Sequence, residues 1–564
     1  MEDAKKILPS GSQTFEEVRK ALYVDKTAYL ADIISSSTKT WFFTRPRRFG
    51  KSLTVSTLEA VFSGQQDLFE GLAIHDWLND ERFAPRPVIH LDMSDVNTDE
   101  GIIVFKETLR RMTAEKAEEL DIELPLNLTP AETLKTLIRK CARNFGTQVA
   151  ILIDEYDTPH LDFLRSNPEE LEAVQDTLRN YYRKLKVCDK FISFIFVTGI
   201  TKLGLTDSYS SFNSYTDISN TVDYGAMTGF THEEVKKYFE MQIKDTAQSL
   251  EITEKQLLED LEEYYDGFCF DGKTNVYNPY STLQFFFLKD FRNFWFDSGT
   301  PKVLAKFMKK NFLTVDEFRG VSISKNVAVS PKSLNLEEPQ TFLYQTGYLC
   351  LRTSQVKGQF LLDYPNREVR ESMERLVMEK IFGTESKAFA SIKRFLEALS
   401  RRDPAGVVQE LNYLLSKLSF DDYKGAKQYN FTEHMYHANF VSYLNGAGLD
   451  YEQEVHTSFG RSDLVIKYIT QTNVLVNWVI EIKVCRDDED DKTRAEDAFN
   501  QIIEKQYGTS LYDPVLLGLA INNKKRRITA WKCQGGTQTE SEPEASPKVT
   551  KKVTRKPKAK GEIT

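Results

Sequence analysis

The segment VAILIDE, Val149 to Glu155, constrains this chain more than any other. Its apolar residues run without the polar alternation of a half-exposed strand, then stop at two carboxylates. Such a run reads as a strand buried on both faces, which a sheet covered by helices on both sides provides. TWFFT at 40–44, PVIHLDMS at 87–94 and the run from Phe191 to Val197 have the same character. Helix-like segments lie between and around them, among them Leu53–Phe62 and Leu171–Leu185. Strands alternating with helices predict an α/β fold with a parallel sheet. In open sheets of this kind ligands sit beyond the C-terminal ends of the strands, where Asp154 and Glu155 fall.

A second segment gives that position a chemistry. Gly50-Lys51-Ser52 follows the strand candidate at 40–44 and opens a helix, the order of elements in a phosphate-binding P-loop. Backbone N–H groups from Phe49 to Ser52 would cradle phosphates at the helix N-terminus, with Lys51 offsetting their charge. Ser52 and Asp154 would hold Mg²⁺, Asp154 through water, and Glu155 would polarise the attacking water. The two segments together predict an ATP site in a P-loop NTPase domain. The first glycine of the usual loop falls at position 45, where this chain has Arg45. Thr198 ends the next strand and suits either a γ-phosphate sensor or a capping threonine.

A chain of 564 residues exceeds what one hydrophobic core supports. The pattern divides it into the NTPase domain at 1–230, a helical middle region at 231–416, a third domain at 417–533 and a tail at 534–564. Thr231-His-Glu-Glu opens the middle region like a capping box. Within that region GYLCL at 347–351 and QFLLDY at 359–364, with a helix on each side, suggest a winged-helix module. The tail, rich in Ser, Thr, Pro, Glu and Lys, is expected to be disordered. Its seven Lys/Arg and four Glu give +3, so a net charge of −9 leaves −12 on the rest. An acidic body does not attract nucleic acid by its overall field, so any such contact must use local basic patches. Six scattered cysteines without a Cys-x-x-Cys pair argue against a zinc ribbon or disulfide framework and fit a reducing compartment. No apolar run reaches the length of a membrane span, and the N-terminus lacks a signal-peptide core. A cytoplasmic location without membrane partners is the expectation.

The third domain carries its own site. In VLVNWVIEIKV at 474–484, Ile480, Ile482 and Val484 share one face, and Val479, Glu481 and Lys483 the other. An acid and a base side by side in so apolar a strand are costly unless something compensates them. Asp463 begins the preceding strand candidate, 463–468. If the two strands are neighbours, Asp463 and Glu481 converge on one Mg²⁺ or Mn²⁺, and Lys483 orients hydroxide at a phosphodiester. Five acids at 487–491 follow, as a solvated loop or as a source of repulsion for a phosphate backbone. KKRR at 524–527 is either a charged hairpin turn or a phosphate contact. His434 and His437, one turn apart, read as structural, since no further ligand completes a zinc set.

These segments belong to a longer series. YVDKT at Tyr23–Thr27, RPRRFGKSL, LIDEYDTP, VTGITK, GFTHEEV, YNPYS, LYQTGYL and YPNREVRESM together resemble the prokaryotic AAA-ATPase-like family. Members of that family usually end in a PD-(D/E)XK nuclease-like domain, of the α/β restriction-endonuclease-like fold. The resemblance covers almost all of the chain except the tail, and Arg in place of the first loop glycine is a habit of that family. It leaves Arg47 and Arg48 open between phosphate contacts and structural roles, and gives Tyr156 and Asp157 no chemical role. At the C-terminal site it implies that Glu433, on an upstream helix, and Gln501, on the following helix, join Asp463, Glu481 and Lys483.

Two functions fit. One is an ATP-controlled, metal-dependent nuclease acting on nucleic acid, in defence against mobile DNA or in mobility itself. The other is a nucleotide-switched factor that binds nucleic acid or protein through a nuclease-like domain without cutting. ATP and Mg²⁺ are the expected cofactors, with Mn²⁺ an alternative at the C-terminal site, and a homo-oligomer stays open.

Overall fold

The computed structural model describes residues 8–9, 14–80, 83–202, 215–297, 319–324, 339–382, 385–417, 433–447, 449–457, 460–470, 474–485, 489–537 and 540–541. The chain forms two compact units, Met1–Leu376 and Val377–Thr564.

In the first unit, β1 (Thr40–Thr44), β2 (Val88–Asp92), β3 (Val149–Asp154), β4 (Ile192–Gly199) and β5 (Thr216–Asp217) form one sheet in the order β2-β3-β4-β1-β5. Every pairing is parallel. The strand period of two divides the core. Phe42, Ile151, Ile153, Ile195 and Val197 pack on one face, with Leu109, Leu137 and Leu178 from the helices Ile102–Glu119, Pro130–Asn144 and Leu171–Val187. Their strand neighbours Trp41, Phe43, Leu152, Phe194 and Phe196 pack on the other, with Val55, Leu58 and Val61 of the helix Lys51–Phe62. Burying each such side chain contributes roughly 1.5–3 kcal/mol, which is why the strands are apolar on both sides. The order also matters for chemistry. β4 lies between β1 and β3, so the end of β4 falls between Gly50-Lys51-Ser52 and Asp154-Glu155.

The same unit continues through the helices His232–Tyr238, Glu240–Ser249, Glu254–Tyr265 and Pro279–Leu288. Thr231 and Glu234 form the expected capping box. The short strands β6 (Phe268–Cys269) and β7 (Asn275–Val276) pair with each other. β8 (Val321–Ser324), β9 (Cys350–Thr353) and β10 (Gln359–Asp363) form an antiparallel sheet in the order β8-β10-β9. The helix Pro339–Gln345 precedes the hairpin and Arg367–Phe382 follows it, a winged-helix-like arrangement. Phe342, Leu343 and Tyr344 of the first helix are buried, so that helix serves packing.

In the second unit, β11 (Asp450–Thr457), β12 (Gly460–Ile469), β13 (Leu475–Cys485), β14 (Val515–Asn522), β15 (Arg527–Gln534) and β16 (Glu540–Ser541) form a mixed sheet in sequence order. Only β13 and β14 are parallel, joined through the helix Asp491–Glu504. Trp478, Ile480 and Ile482 of β13 face a core that includes Phe395, Leu411 and Phe440. The helices Glu385–Ser400 and Pro404–Lys417, read from sequence with the middle region, thus pack in this core. The folded chain also continues past 533. Gln534 closes β15, Arg402 donates to the Gly535 carbonyl at 2.9 Å, and β16 pairs with β15.

Candidate functional sites

The loop after β1 is held from several sides. Gly50, with φ 79°, caps the helix Lys51–Phe62 in the left-handed region that favours glycine. Phe49 is buried edge-on to Phe268 and Phe270, with centroids at 4.9 and 5.3 Å. Its ring is therefore core, leaving only its backbone for a ligand. Trp295 donates through Nε1 to the Arg47 carbonyl at 3.0 Å. Gly347, with φ 89°, has no room for a Cβ, which would lie 2.6 Å from Pro46. Arg47 and Arg48 are exposed, and Arg48 lies over the Tyr280 ring at 4.9 Å. Arg45 is 1% exposed, its guanidinium between the rings of Phe43 and Phe270 at 4.4 and 4.3 Å. It donates to the carbonyls of Thr44 (2.9 Å), Ser219 (2.6 Å) and Tyr224 (3.2 Å). Arginine at the first glycine position thus ties the phosphate loop to the segment after β5. Burial lowers its pKa to about 10.

Lys51 is buried and donates to the Pro46 carbonyl at 3.0 Å. Burial lowers its pKa, opposed by the nearby charges of Glu155, Asp154 and Asp157. Asp154 is raised by burial, opposed by a hydrogen bond from Ser52 and by Lys51. Lys51, Ser52, Asp154 and Glu155 therefore share one electrostatic neighbourhood. Glu155 has φ 48° and accepts from the Thr158 hydroxyl at 2.8 Å. Thr198 is fully buried, its hydroxyl without a hydrogen-bond partner among the described residues and its carbonyl bonded to the Tyr156 N–H at 3.1 Å.

Tyr156 and Asp157, without a role from sequence, have one here. Asp157 accepts from Ile200 N (3.1 Å), Thr201 N (2.7 Å) and the Thr201 hydroxyl (2.6 Å). Tyr156 donates to the Thr201 carbonyl at 2.7 Å. A Cβ at Gly199 would overlap the Asp157 carboxylate and the Tyr156 ring, so glycine is required for the close approach. The next residue, Lys202, donates its N–H to the side-chain oxygen of Gln345 at 2.8 Å. LIDEYDTP, VTGITK and LYQTGYL are thus one connected structure behind the site.

A cavity of about 440 Å³ opens on the loop, within the range of small-ligand sites. Arg47 to Thr54 and Glu155 form one part of its lining. The remainder includes Leu22, Tyr23, Leu30, Met227, Thr228 and Leu283. YVDKT, GFTHEEV and YNPYS contribute walls of this cavity, which sequence spacing does not reveal.

In the second unit, β13 presents Glu481 and Lys483 on the face opposite Trp478, Ile480 and Ile482, where Val479 packs with Ile502. Glu481 is 1% exposed; Lys483 lies 3.4 Å from its carboxylate, and Gln501 Nε2 donates to the same oxygen. Gly518 of β14, which pairs with Glu481, explains the reach of Gln501. A Cβ there would collide with the backbone of Phe499 and lie 2.8 Å from the Ala495 carbonyl. Antiparallel pairing of Leu464 with Ile480 brings the backbone of Asp463 alongside that of Glu481. The side chains of Asp463 and Glu433 lie outside the described residues. Three of the five residues expected here are therefore seen together. Among the described residues no group of three His, Cys, Asp or Glu forms a metal cluster. Of the acidic loop, Asp490 caps the next helix by accepting from Thr493 N at 2.9 Å, and Glu489 meets Arg494 at 3.0 Å. Asp491 lies 3.4 Å from Lys525. These acids are engaged with the protein. No helix among the described residues is long and apolar enough to cross a membrane.

Residues 9–209 match the family described as a predicted AAA-ATPase, and residues 431–531 match the PD-(D/E)XK nuclease superfamily. An uncharacterized protein in the vnfD 5' region of Azotobacter chroococcum mcd 1 is 27% identical over 542 residues, 94% of this chain and 99% of that protein. Similar solved structures include the Aeropyrum pernix ORC1 protein in complex with DNA, 13% identical, over 62% of this chain and 91% of that one, with TM-score 0.24. Cdc6p from Pyrobaculum aerophilum is 12% identical over 63% and 92%, with TM-score 0.21. Superpositions that loose carry no argument about this chain.

Proposed function

We propose that this chain, which joins an AAA-ATPase-like domain to a PD-(D/E)XK nuclease-superfamily domain, binds ATP and uses it to govern cleavage of nucleic-acid phosphodiesters. The observation that carries the nucleotide half is the gathering of Lys51, Ser52, Asp154 and Glu155 at the ends of two parallel strands, with one cavity opening on Lys51, Ser52 and Glu155. Backbone N–H groups of Phe49, Gly50, Lys51 and Ser52 bind the phosphates, and Lys51 leaves the Pro46 carbonyl for them. Ser52 and Asp154, hard oxygen donors already in contact, fit Mg²⁺, which when bound offsets phosphate charge. Glu155 orients water, and Thr198, at the end of β4, is the candidate to sense the terminal phosphate.

At the C-terminal site Asp463 and Glu481 would hold Mg²⁺ or Mn²⁺, which supplies Lewis acidity at the phosphodiester. Lys483 stabilises the charge that develops there, Gln501 fixes the Glu481 carboxylate, and Glu433 joins from its helix. The rival reading, a nucleotide-switched binding factor, draws on the fact that one Glu481 oxygen is engaged by both Lys483 and Gln501. A cluster satisfied by itself has less need of a metal.

The test is cleavage of plasmid DNA and single-stranded RNA with Mg²⁺ or Mn²⁺, with and without ATP, beside equilibrium binding of labelled ATP. Lys51→Ala should lose ATP binding, whereas Glu155→Gln should keep binding and slow hydrolysis. Unchanged ATP affinity in Lys51→Ala would sink the nucleotide site. No metal binding and no cutting under any ATP condition would leave the binding-factor reading.

A further inference from the structure

The charges that line the nucleotide cavity are uneven. Lys26, Arg47, Arg48 and Lys51 line it, and Glu155 is the one acid among the described lining residues, in a chain whose net charge is −9. Lys26 is matched by Glu234 at 2.6 Å, and Lys51 has Glu155 and Asp154 close by. Arg48 has no such match. Its side chain is exposed and makes no hydrogen bond or ion pair among the described residues. What seats it is the Tyr280 ring, with the guanidinium carbon 4.9 Å from the centroid.

Both residues are held in place by their neighbours. Before Arg48, the Arg47 carbonyl accepts from Trp295 Nε1 at 3.0 Å; after it, Phe49 is buried against Phe268 and Phe270. Between these pins Arg48 takes φ 64°, a left-handed backbone that residues other than glycine seldom adopt and that clusters at ligand clamps. Before Tyr280, Tyr277 and Phe230 bridge through both backbone groups, and Asn278 caps the helix Pro279–Leu288 by accepting from Ser281 N at 2.9 Å. After it, the Ser281 hydroxyl donates to buried Glu368 at 2.9 Å. Half-buried Tyr280 thus offers a fixed ring at the cavity wall, and the arginine over it keeps its N–H donors for a ligand. A guanidinium presents those donors in a planar fork that matches phosphate oxygens two at a time. Arg48 stands three residues before Lys51, so their Cα atoms lie within about 11 Å, close enough for the two side chains to meet one phosphate chain.

We propose that Arg48, seated on the Tyr280 ring, is a second phosphate-binding cation of the nucleotide site, with Tyr280 as its positioning residue. This assignment rests on the ATP-binding reading and adds to it a side chain and its support from a distant helix. Arg48→Gln should lower the affinity for ADP and for inorganic tripolyphosphate by the same factor, about tenfold, the value of one charge-assisted hydrogen-bonded pair. Tyr280→Leu should lower both by about threefold, the scale of one exposed cation–π contact. Tyr280→Phe keeps the ring and should bind within about twofold of wild type. In the Arg48→Gln background Tyr280→Leu should cost nothing more, because the ring then has no guanidinium to position. A tyrosine that only packed would show its loss in either background.

Competition of ADP and of tripolyphosphate against a labelled ATP analogue, beside thermal melts of the ligand-free proteins, tests this. The ligand-free Arg48→Gln protein should melt near wild type, as should Arg48→Gly, which suits the left-handed backbone and should show the same loss of affinity. Unchanged affinity in both Arg48 variants overturns the assignment. So does a loss for ADP without one for tripolyphosphate, which would put Arg48 on the nucleoside, or unfolding of both Arg48 variants, which would make the residue structural. Additive losses in the double variant overturn the part given to Tyr280. Wild-type protein that binds neither ADP nor ATP overturns the nucleotide reading itself.

Discussion

The two sites are built in opposite ways. In the N-terminal unit the parts come from far apart in the chain, and each is pinned by buried polar contacts to another segment. Arg45 holds the segment after β5, Asp157 holds the turn after β4, and Gln345 holds Lys202. In the C-terminal unit Glu481, Lys483 and Gln501 come from one strand and the helix after it, with Gly518 setting the helix's approach. A site assembled by topology couples its chemistry to the stability of the unit. A cluster that shares one strand and one helix, as Glu481, Lys483 and Gln501 do, can lose a functional group and keep its fold. Asp463 and Glu433 would join it from β12 and an upstream helix.

The largest expected effect tests the second half of that contrast. Lys483→Ala should lower cutting by ~10²-fold or more, the scale of removing one preorganised charge. Metal binding should persist, because a lysine ammonium is no ligand for Mg²⁺. Its melting temperature should stay near the wild-type value, since Lys483 is partly exposed and its neighbour Glu481 keeps Gln501. Collapse of the C-terminal unit in this variant would erase the contrast.

The next effect belongs to the N-terminal unit. Arg45→Gly restores the residue usual at that loop position, yet it should destabilise the unit by roughly 3 kcal/mol or more. It strands several buried carbonyls, each costing about 1–3 kcal/mol when unpaired. ATP affinity should fall with it, because the loop and the segment after β5 separate. Denaturant melts with an ATP titration check both. A Gly variant as stable as wild type would show the loop does not depend on this pin.

How much of this was legible depends on the range of the contacts. The parallel sheet was, because continuous apolar runs have few other solutions. So were the two faces of β13, since a strand's period is fixed by geometry and Glu481 and Ile482 need only opposite sides. The pairing of Asp157 with Thr201, and the burial of Arg45 between Phe43 and Phe270, were not. They arise only when distant segments meet, and nothing in the local pattern marks them. Tyr280 is one tyrosine among many until its helix is folded beside the phosphate loop. Gly518 did leave a signal: a glycine inside the apolar strand PVLLGLAIN marks a close approach of another backbone. The helices at 385–417 carry an apolar stripe that fits either neighbouring unit, so their place in the C-terminal core required the fold.

One carboxylate in each unit should also answer to pH with opposite signs. In the first, burial raises Asp266 to about 6, opposed by a hydrogen bond from the Gly267 N–H, and leaves one of its oxygens without a partner among the described residues. Folding then favours the protonated acid. Its contribution is fully present below the unfolded pKa of about 3.9 and is lost as pH rises through about 6. In the second, the bond from Arg402 lowers Asp513, so its contribution is present above the unfolded pKa and is lost as pH falls. Asp266→Asn should therefore remove this group's decline between pH 4 and 6 and be more stable than wild type at pH 8, by up to roughly 3 kcal/mol. Melts across that range decide it. An Asn variant no more stable than wild type at pH 8 would show that the carboxylate is not strained.

The smallest effect concerns where the C-terminal unit ends. Composition places the tail from Gln534 onward, but Gln534 pairs with Leu516 in the sheet, and Thr537 N donates to the Arg402 carbonyl at 2.8 Å. β16 then adds the pairs Trp531–Ser541 and Lys532–Glu540. Gln534 and Thr537 are exposed and the contacts lie at the sheet's edge, so together they are worth about 1 kcal/mol. Truncation after Ser541 should leave the C-terminal transition unchanged, whereas truncation after Cys533 should lower it by roughly 2–4 °C. ATP affinity should be the same in both, since the cavity is lined from residues between Pro9 and Gln284. Equal transitions for the two truncations would mean that the last strand adds nothing, and that the sheet's edge is already complete at β15.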